Sequence, residues 1–297
     1  MAQYRKIRSR IRGVQNTAKI TQAMKMVAAA KLRRAQDAII SARPYAEKLN
    51  EMLGHLSGSI DSTISPYFEQ RDVNRVCVMV IAADRGLCGP FNSNVLRAAQ
   101  YRIDNRYKKL SKAGMVDVIA IGKRAVDYFK PRGYNVVTAY PGIFTDLDFT
   151  IANRIVGQVQ DRFLDGYYDR VELISNEFRS IIRQEIAVKQ FLPIEPSLVE
   201  HEHEKTNTGF NIEYIFEPSS IELLNALLPK HLNTQLWNAL LESNAAEQGA
   251  RMTAMDNATR NAKDLARDLK LEYNKARQDA ITTEILEIVS GANALKG

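Results

Sequence analysis

The stretch YRKIRSRIRGVQNTAKITQAMKMVAAAKLRRAQDAIISA, residues 4–42, decides the fold. Within it Tyr4, Ile7, Ile11, Val14, Ala18, Thr21, Lys25, Ala28, Leu32, Ala35, Ile39 and Ala42 recur at alternating steps of three and four. An apolar seam kept at that spacing over several heptads predicts a helix lying along another helix. Lys25 is the one charged member of the seam. Gly13 is a weak point, and Pro44 should bend the helix or interrupt its hydrogen bonds. The pattern resumes through Leu49, Met52, Leu53 and Leu56. At about 1.5 Å per residue, some fifty residues would make a rod of roughly 75 Å, longer than the core of a compact domain requires.

The other end of the chain repeats the theme. After Pro218 a helical pattern runs to about Leu295, with Pro229 its only proline. Met252, Met255, Thr259, Ala262, Ala266, Leu269, Tyr273, Ala276, Ala280 and Thr283 again alternate in threes and fours. The stripe then shifts to Ile281, Ile285, Ile288, Ala292 and Leu295, a slip of register near the tip. Small seam residues let two helices approach closely, and Met adapts to an irregular neighbour. Arg260, Asp264, Arg267, Asp268, Glu272 and Lys275 give the other face the mixed charge of a solvated surface. Two long seamed helices, one at each terminus, pair most simply with each other in antiparallel fashion.

The middle of the chain has a different texture. Residues 76–82 and 117–121 are short apolar runs, each followed by a glycine-containing turn and a helical segment at 92–107 and 123–129. That alternation predicts an α/β layer with parallel strands. Residues 134–138, 171–178 and 186–191 read as further strands, and 212–216 as one that closes the sheet. Residues 201–209 are polar and read as a surface loop. The expected fold class is therefore α/β: a long antiparallel coiled coil of the N- and C-terminal helices, with an inserted Rossmann-like α/β domain. The expected boundaries are 1–58, 72–217 and 219–297.

Composition narrows the function. Of 297 residues 45% are apolar and 25% charged, which suits a folded chain, and the net charge of +7 points to acidic partners. Two cysteines, Cys77 and Cys88, make no disulfide framework and suit an intracellular protein. No apolar run approaches the roughly 20 residues that span a membrane, and the N-terminus lacks the apolar core of a secretory signal. The first 36 residues hold no Asp or Glu, as in a mitochondrial transit peptide. Ser9 is their only serine, however, and the helical pattern runs on without a break.

Several residue groups invite a chemical reading. Gly86-Leu87-Cys88-Gly89-Pro90 follows the first central strand, where backbone N–H groups could cradle a phosphate. Its spacing fits neither dinucleotide nor Walker patterns, and Pro90 removes a donor, so a tight strand-to-helix turn is favoured. Cys88 has no histidine that the sequence places beside it, which favours a structural thiol. His201-Glu202-His203-Glu204 lacks spaced companion ligands for a metal. Asp84 suits a cap or turn better than catalysis. The basic N-terminal helix could meet nucleic-acid phosphates, yet no aromatic residue lies between Tyr4 and Tyr45 to stack on bases. No acid, base and oxyanion site assemble here, so no catalytic, cofactor or metal residue is expected.

The same segments carry a family resemblance. RKIRSRIRGVQNTAKITQAMKMVAAAKLRRAQ, with Ala42-Arg43-Pro44-Tyr45, resembles the start of the γ subunit of F-type ATP synthases. DRGLCGPFNSNV, from Asp84, is similar to a second family signature. ALLESNAAEQGARMTAMDNATRNAKDLARDLKLEYNKARQDAITTEILEIVSGANAL resembles the family's C-terminus. These stretches span the chain in the family's order, while residues 104–208 diverge more.

The resemblance implies a central rotor shaft, present in one copy, that couples proton (or sodium) flow to ATP synthesis or hydrolysis. Its implied partners are the α and β subunits of the catalytic ring, the ε subunit and the membrane c-ring, and no nucleic acid. The implied location is peripheral, on the cytoplasmic face of the bacterial plasma membrane. Arg277 and Gln278, in NKARQ, match positions that contact a catalytic β subunit, and Met24 and Arg251 match positions where rotor and stator couple. Ile285, Ile288 and Leu295 belong to a tip suited to an apolar sleeve. Plain coiled-coil packing is the alternative for Met24. Two rival readings remain open: an α/β enzyme with helical dimerisation arms, and a nucleic-acid-binding rod acting through residues 5–34.

Overall fold

A computed structural model of the chain describes residues 2–57, 65–181, 183–195, 217 and 219–294. The chain forms two compact units, one of Met1–Ala29 with Arg251–Gly297 and one of Ala30–Ala250. Helix α1, Ala2–Ser57, and the last helix, α6, Ser220–Ala294, each contribute to both.

In the first unit α1 and α6 run antiparallel. Thr21 meets Thr259 and Lys25 meets Asp256, so rising numbers on one helix face falling numbers on the other. The seam is the one the periodicity predicts: Ile11, Ala18, Thr21 and Ala28 are buried, as are Met255, Thr259, Ala262, Ala266 and Leu269. Alanine dominates because a helix built from strong helix formers can bring its backbone close to a partner where side chains are short. Tyr273, Ala276 and Ala280 are half-buried, whereas Thr283 and every residue from 281 to 293 are exposed.

The second unit holds a five-stranded sheet. Its strands are β1 Val76–Ile81, β2 Val116–Ile121, β3 Asn135–Tyr140, β4 Arg170–Phe178 and β5 Gln184–Leu192. The order is β3-β2-β1-β4-β5, with β1 parallel to β2 and β4, and β2 parallel to β3. β5 is antiparallel to β4, so the sheet is mixed. Five residues, 179–183, link the two strands, and a parallel partner would need a crossover of a dozen or more.

β1 and β2 are buried at every position, as strands covered on both faces must be. Val76, Val78 and Val80 face α2, Phe91–Tyr101, and α4, Lys123–Phe129, through Val95, Ala99, Ala125 and Phe129. Cys77, Met79 and Ile81 face the other way. They share a core with Ile155, Val156, Val159 and Phe163 of α5, Phe149–Leu164, and with Leu49, Leu53 and Leu56 of α1. The same core takes Leu224, Leu228, Leu232, Leu236 and Leu240, a four-residue repeat along one face of α6. Each such leucine contributes on the order of 2 kcal/mol of gross burial energy.

Some expectations need correction. Met52 is 51% exposed and does not continue the apolar stripe. The helix expected over 92–107 ends at Tyr101, widens into a π-turn at Arg102–Arg106, and restarts as α3, Lys108–Lys112. The wide turn has a reason: Arg102 forks onto the buried Glu172 carboxylate at 2.8 and 2.7 Å, and the Tyr107 hydroxyl donates to it at 2.6 Å. Helix α5 went unread, although Asp148 caps it by accepting from the Thr150 N–H at 3.1 Å. Pro44 and Pro229 lie inside α1 and α6, and the helices run through both. The strand expected at 212–216, the loop at 201–209 and its His-Glu pairs, and Leu295 lie outside the described residues.

Candidate functional site

In an open parallel sheet, ligands bind beyond the carboxyl ends of the strands where the order reverses. That point lies between β1 and β4, and the turn after β1 is the glycine-rich segment singled out above. Leu87 and Gly89 adopt left-handed backbone at φ 63° and 59°. Asn92 laces the turn together: its Oδ1 accepts from the Ala83 N–H at 2.9 Å, and its Nδ2 donates to the Arg85 carbonyl and the Cys88 sulfur. The Asp84 carboxylate accepts from the backbone N–H groups of Lys123, Gly142 and Phe144 at 2.8, 2.6 and 3.0 Å. It therefore ties the turns after β2 and β3 to β1, a fixed structural duty.

The space a phosphate would need is filled. Ala83, Cys88 and Phe91 pack with Ala246 and Ala250 of α6, and Phe178 joins them. Gly249 lets the helix come this close, since a Cβ there would sit 3.3 Å from the Phe178 ring. Cys88 is 1% exposed and Cys77 wholly buried, and both are free thiols. Burial, with Asp117 nearby, pushes the Cys77 thiol far up, so it stays protonated.

Two buried polar clusters stiffen the sheet. Asp117 accepts from Asn135 at 2.7 Å and from the Tyr168 hydroxyl at 3.0 Å, and Tyr168 in turn accepts from Arg162 at 2.9 Å. On the opposite face Glu172 is 1% exposed. Burial alone would raise its carboxyl, but the hydrogen bonds from Arg102 and Tyr107 outweigh that and hold it below its ordinary value.

Exposed surface also lies on the helices of the first unit. Arg277 and Gln278 are exposed on α6, and Ile285 and Ile288 are 55% and 66% exposed. Ile281, Leu286 and Val289 complete an apolar girdle around the same turns. Met24 is half-buried and Arg251 buried on its helix. The structure thus gathers Arg277, Gln278, Ile285 and Ile288 on one bare stretch, and sets Met24 and Arg251 further along the pair. The sequence reading missed the exposed Ile20, Met26 and Val27 on α1 and Leu265 and Leu271 on α6. Their signal was present: large apolar residues off the predicted seam.

Comparison with known proteins shows the family. The ATP synthase family model matches residues 3–295. The chain is 51% identical, over all of its length and 99% of the relative's, to the ATP synthase gamma chain of Chloroherpeton thalassium. It is 50% identical over the whole of both chains to the gamma chain of Chlorobium phaeobacteroides.

The chain belongs to the ATP synthase gamma chain family.

Chains of solved mitochondrial ATP synthases share its fold. A chain of the Euglena gracilis mitochondrial ATP synthase aligns with 99% of this one, covering 95% of its own length, at a TM-score of 0.68 and 21% identity. A chain of the Tetrahymena thermophila mitochondrial central stalk and c-ring aligns with 80%, covering 99% of its own length, at a TM-score of 0.58 and 26% identity. The gamma-chain signature at residues 84–95 is accordingly the laced turn that closes the sheet against α6. Among the described residues no helix is long and apolar enough to cross a membrane.

Proposed function

We propose that this gamma-family chain is the central rotor shaft of an F-type ATP synthase and performs no chemistry itself. It couples ion flow through a membrane c-ring to ATP synthesis or hydrolysis in a ring of α and β subunits, with ε as a further partner. One shaft serves each complex, held peripherally on the cytoplasmic face of a bacterial plasma membrane. The observation that carries this reading is the tip of α6. Ile281, Ile285, Leu286, Ile288 and Val289 stand 46–66% exposed within nine residues. An apolar girdle of that kind marks a surface meant to be covered, and an apolar sleeve covers it without directional bonds that would resist turning.

A single shaft inside a three-fold ring makes different contacts with three equivalent catalytic subunits. Only such a difference in contact energy can hold three identical sites in three states, and turning the shaft exchanges the states in order. Arg277 and Gln278 supply directional contacts just before the girdle, since a guanidinium forks onto a carboxylate of one ring conformation in preference to another. Met24 lies half in the seam and offers a pliable edge, and Arg251 is buried. The net charge of +7 suits acidic ring surfaces.

The test is a tagged complex purified from gently solubilised membranes, in the parent and in Arg277→Ala/Gln278→Ala. Recovery with ring subunits, with ATP synthesis reduced about tenfold in the variant and assembly unchanged, is expected for one lost charge-assisted contact. Synthesis equal to the parent's would remove these two residues from the contact. Purification of the parent chain without ring subunits would overturn the rotor reading.

A further inference from the structure

The seam of the first unit is apolar, with many short side chains, except at two adjacent turns. There the Thr21 and Thr259 hydroxyls lie 2.7 Å apart, both buried. One turn on, the Lys25 ammonium reaches Asp256 at 2.5 Å, and Arg260 reaches the other oxygen of that carboxylate at 2.9 Å.

Either hydroxyl can serve as the donor across the pair. Thr259 Oγ1 lies 2.7 Å from the Met255 carbonyl, which can only accept. When Thr259 donates there, Thr21 donates to Thr259; when Thr21 donates to the Thr17 carbonyl at 3.0 Å, Thr259 donates to Thr21, and in both arrangements one hydrogen bond joins α1 to α6. The hydroxyls thus bond across the helices, although each also has the carbonyl of its own preceding turn in reach.

Alanine contacts are non-directional and shallow, so Ala18, Ala28, Ala262 and Ala266 resist axial sliding only weakly. Twisting a pair of wound helices drives one past the other along the axis. A slip of one turn, about 5.4 Å, would meet little resistance from the alanines, whereas Ile11 and Leu269 lie toward the far end of the seam. It would also separate both polar pairs at once. A polar pair in a seam fixes register at a cost in stability, and an ion pair this exposed adds little stability of its own.

Resting on the rotor reading, we propose that Thr21, Lys25, Asp256 and Thr259 form a shear key, which locks the axial register of the two helices so that they transmit torque as one body. They are positioning residues, since their effect on ATP synthesis passes through the shaft. The key resists load, so its loss shows when the shaft works against a force and hardly at all in free rotation.

The experiment uses the assembled complex with its ring fixed and a bead on the shaft. The variants are Thr21→Val/Thr259→Val, which keeps volume and removes the hydroxyls, Asp256→Lys alone, and the exchange Lys25→Asp/Asp256→Lys. Torsional stiffness, read from the bead's angular fluctuations, is expected to fall by about half in the valine pair and in Asp256→Lys, because the directional cross-links are few. ATP synthesis against a high opposing load should fall with it, while unloaded hydrolysis stays near the parent's. The exchange should restore stiffness, and Thr21→Ser/Thr259→Ser should retain it. Parent-like stiffness in the valine pair, or no recovery in the exchange, would overturn the proposal. A parent complex whose bead does not rotate with ATP would instead overturn the rotor reading on which it rests.

Discussion

Gly122 shows how tightly single positions constrain this fold. Its φ is +90°, and a Cβ there would lie 1.9 Å from the Ala82 carbonyl oxygen, where β1 meets the turn after β2. Gly122→Ala should destabilise the chain by about 3 kcal/mol or more, from strain and backbone overlap together. A chemical-denaturation midpoint equal to the parent's would show that the two turns are not in contact. His231 is the other sensitive position. Its Nδ1 lies 3.1 Å from Asn50 Oδ1, and burial lowers its pKa from 6.5 to about 4. The folded chain keeps the ring neutral while the unfolded chain protonates it, so stability should fall as pH drops from 6.5 toward 4. Thermal unfolding across that range tests this: His231→Gln should flatten the slope, and a slope identical to the parent's would assign the acid sensitivity to other groups. Neither effect is legible in the sequence. Gly122 resembles any turn glycine, and nothing along the chain places residue 50 beside residue 231.

At the scale of elements, legibility follows length and burial. The seams of α1 and α6 could be read position by position, because a helix that keeps one partner repeats the same constraint every three to four residues. Their seam members from Ile7 to Ala42 and from Met252 to Ala280 are indeed buried or half-buried. The strands were legible as apolar runs bounded by turns, but their direction was not, since β5 reverses for want of connecting chain. Helix α5 was missed although Asp148 and the spacing of Ile155, Val156, Val159 and Phe163 announce it. The Asp148 carboxyl is held below its ordinary value by the hydrogen bonds from Thr150, the signature of a working cap. Asp148→Ala should therefore lower the thermal midpoint by a few degrees and fray the first turn of α5, as amide hydrogen exchange at Thr150 would report. Unchanged protection there would mean that packing against the sheet alone holds the helix end.

The whole molecule presents one surface that a self-sufficient chain would not. Residues 281–293 are exposed throughout and carry five large apolar side chains. The isolated chain is expected to self-associate and to bind an apolar-surface dye, and a chain ending at Ala280 to do both far less. Equal dye binding by the two would place the sticky surface elsewhere, for example on Ile20, Met26 and Val27. The shorter chain keeps the seam through Leu269 and the entire second unit, so loss of folding is not anticipated, and circular dichroism would confirm that.

The sequence by itself determined that two long helices pair, which of their residues meet, and to which family the chain belongs. Periodicity and identity are properties of the order of residues. Only the tertiary structure decided that the glycine-rich turn holds no cradle, because Ala246, Gly249 and Ala250 arrive there from more than 150 residues away. It also decided that Asp84 clamps three backbone N–H groups and that Thr21 bonds to Thr259. A side chain's role is set by what lies within hydrogen-bond reach, and that distance is fixed by folding.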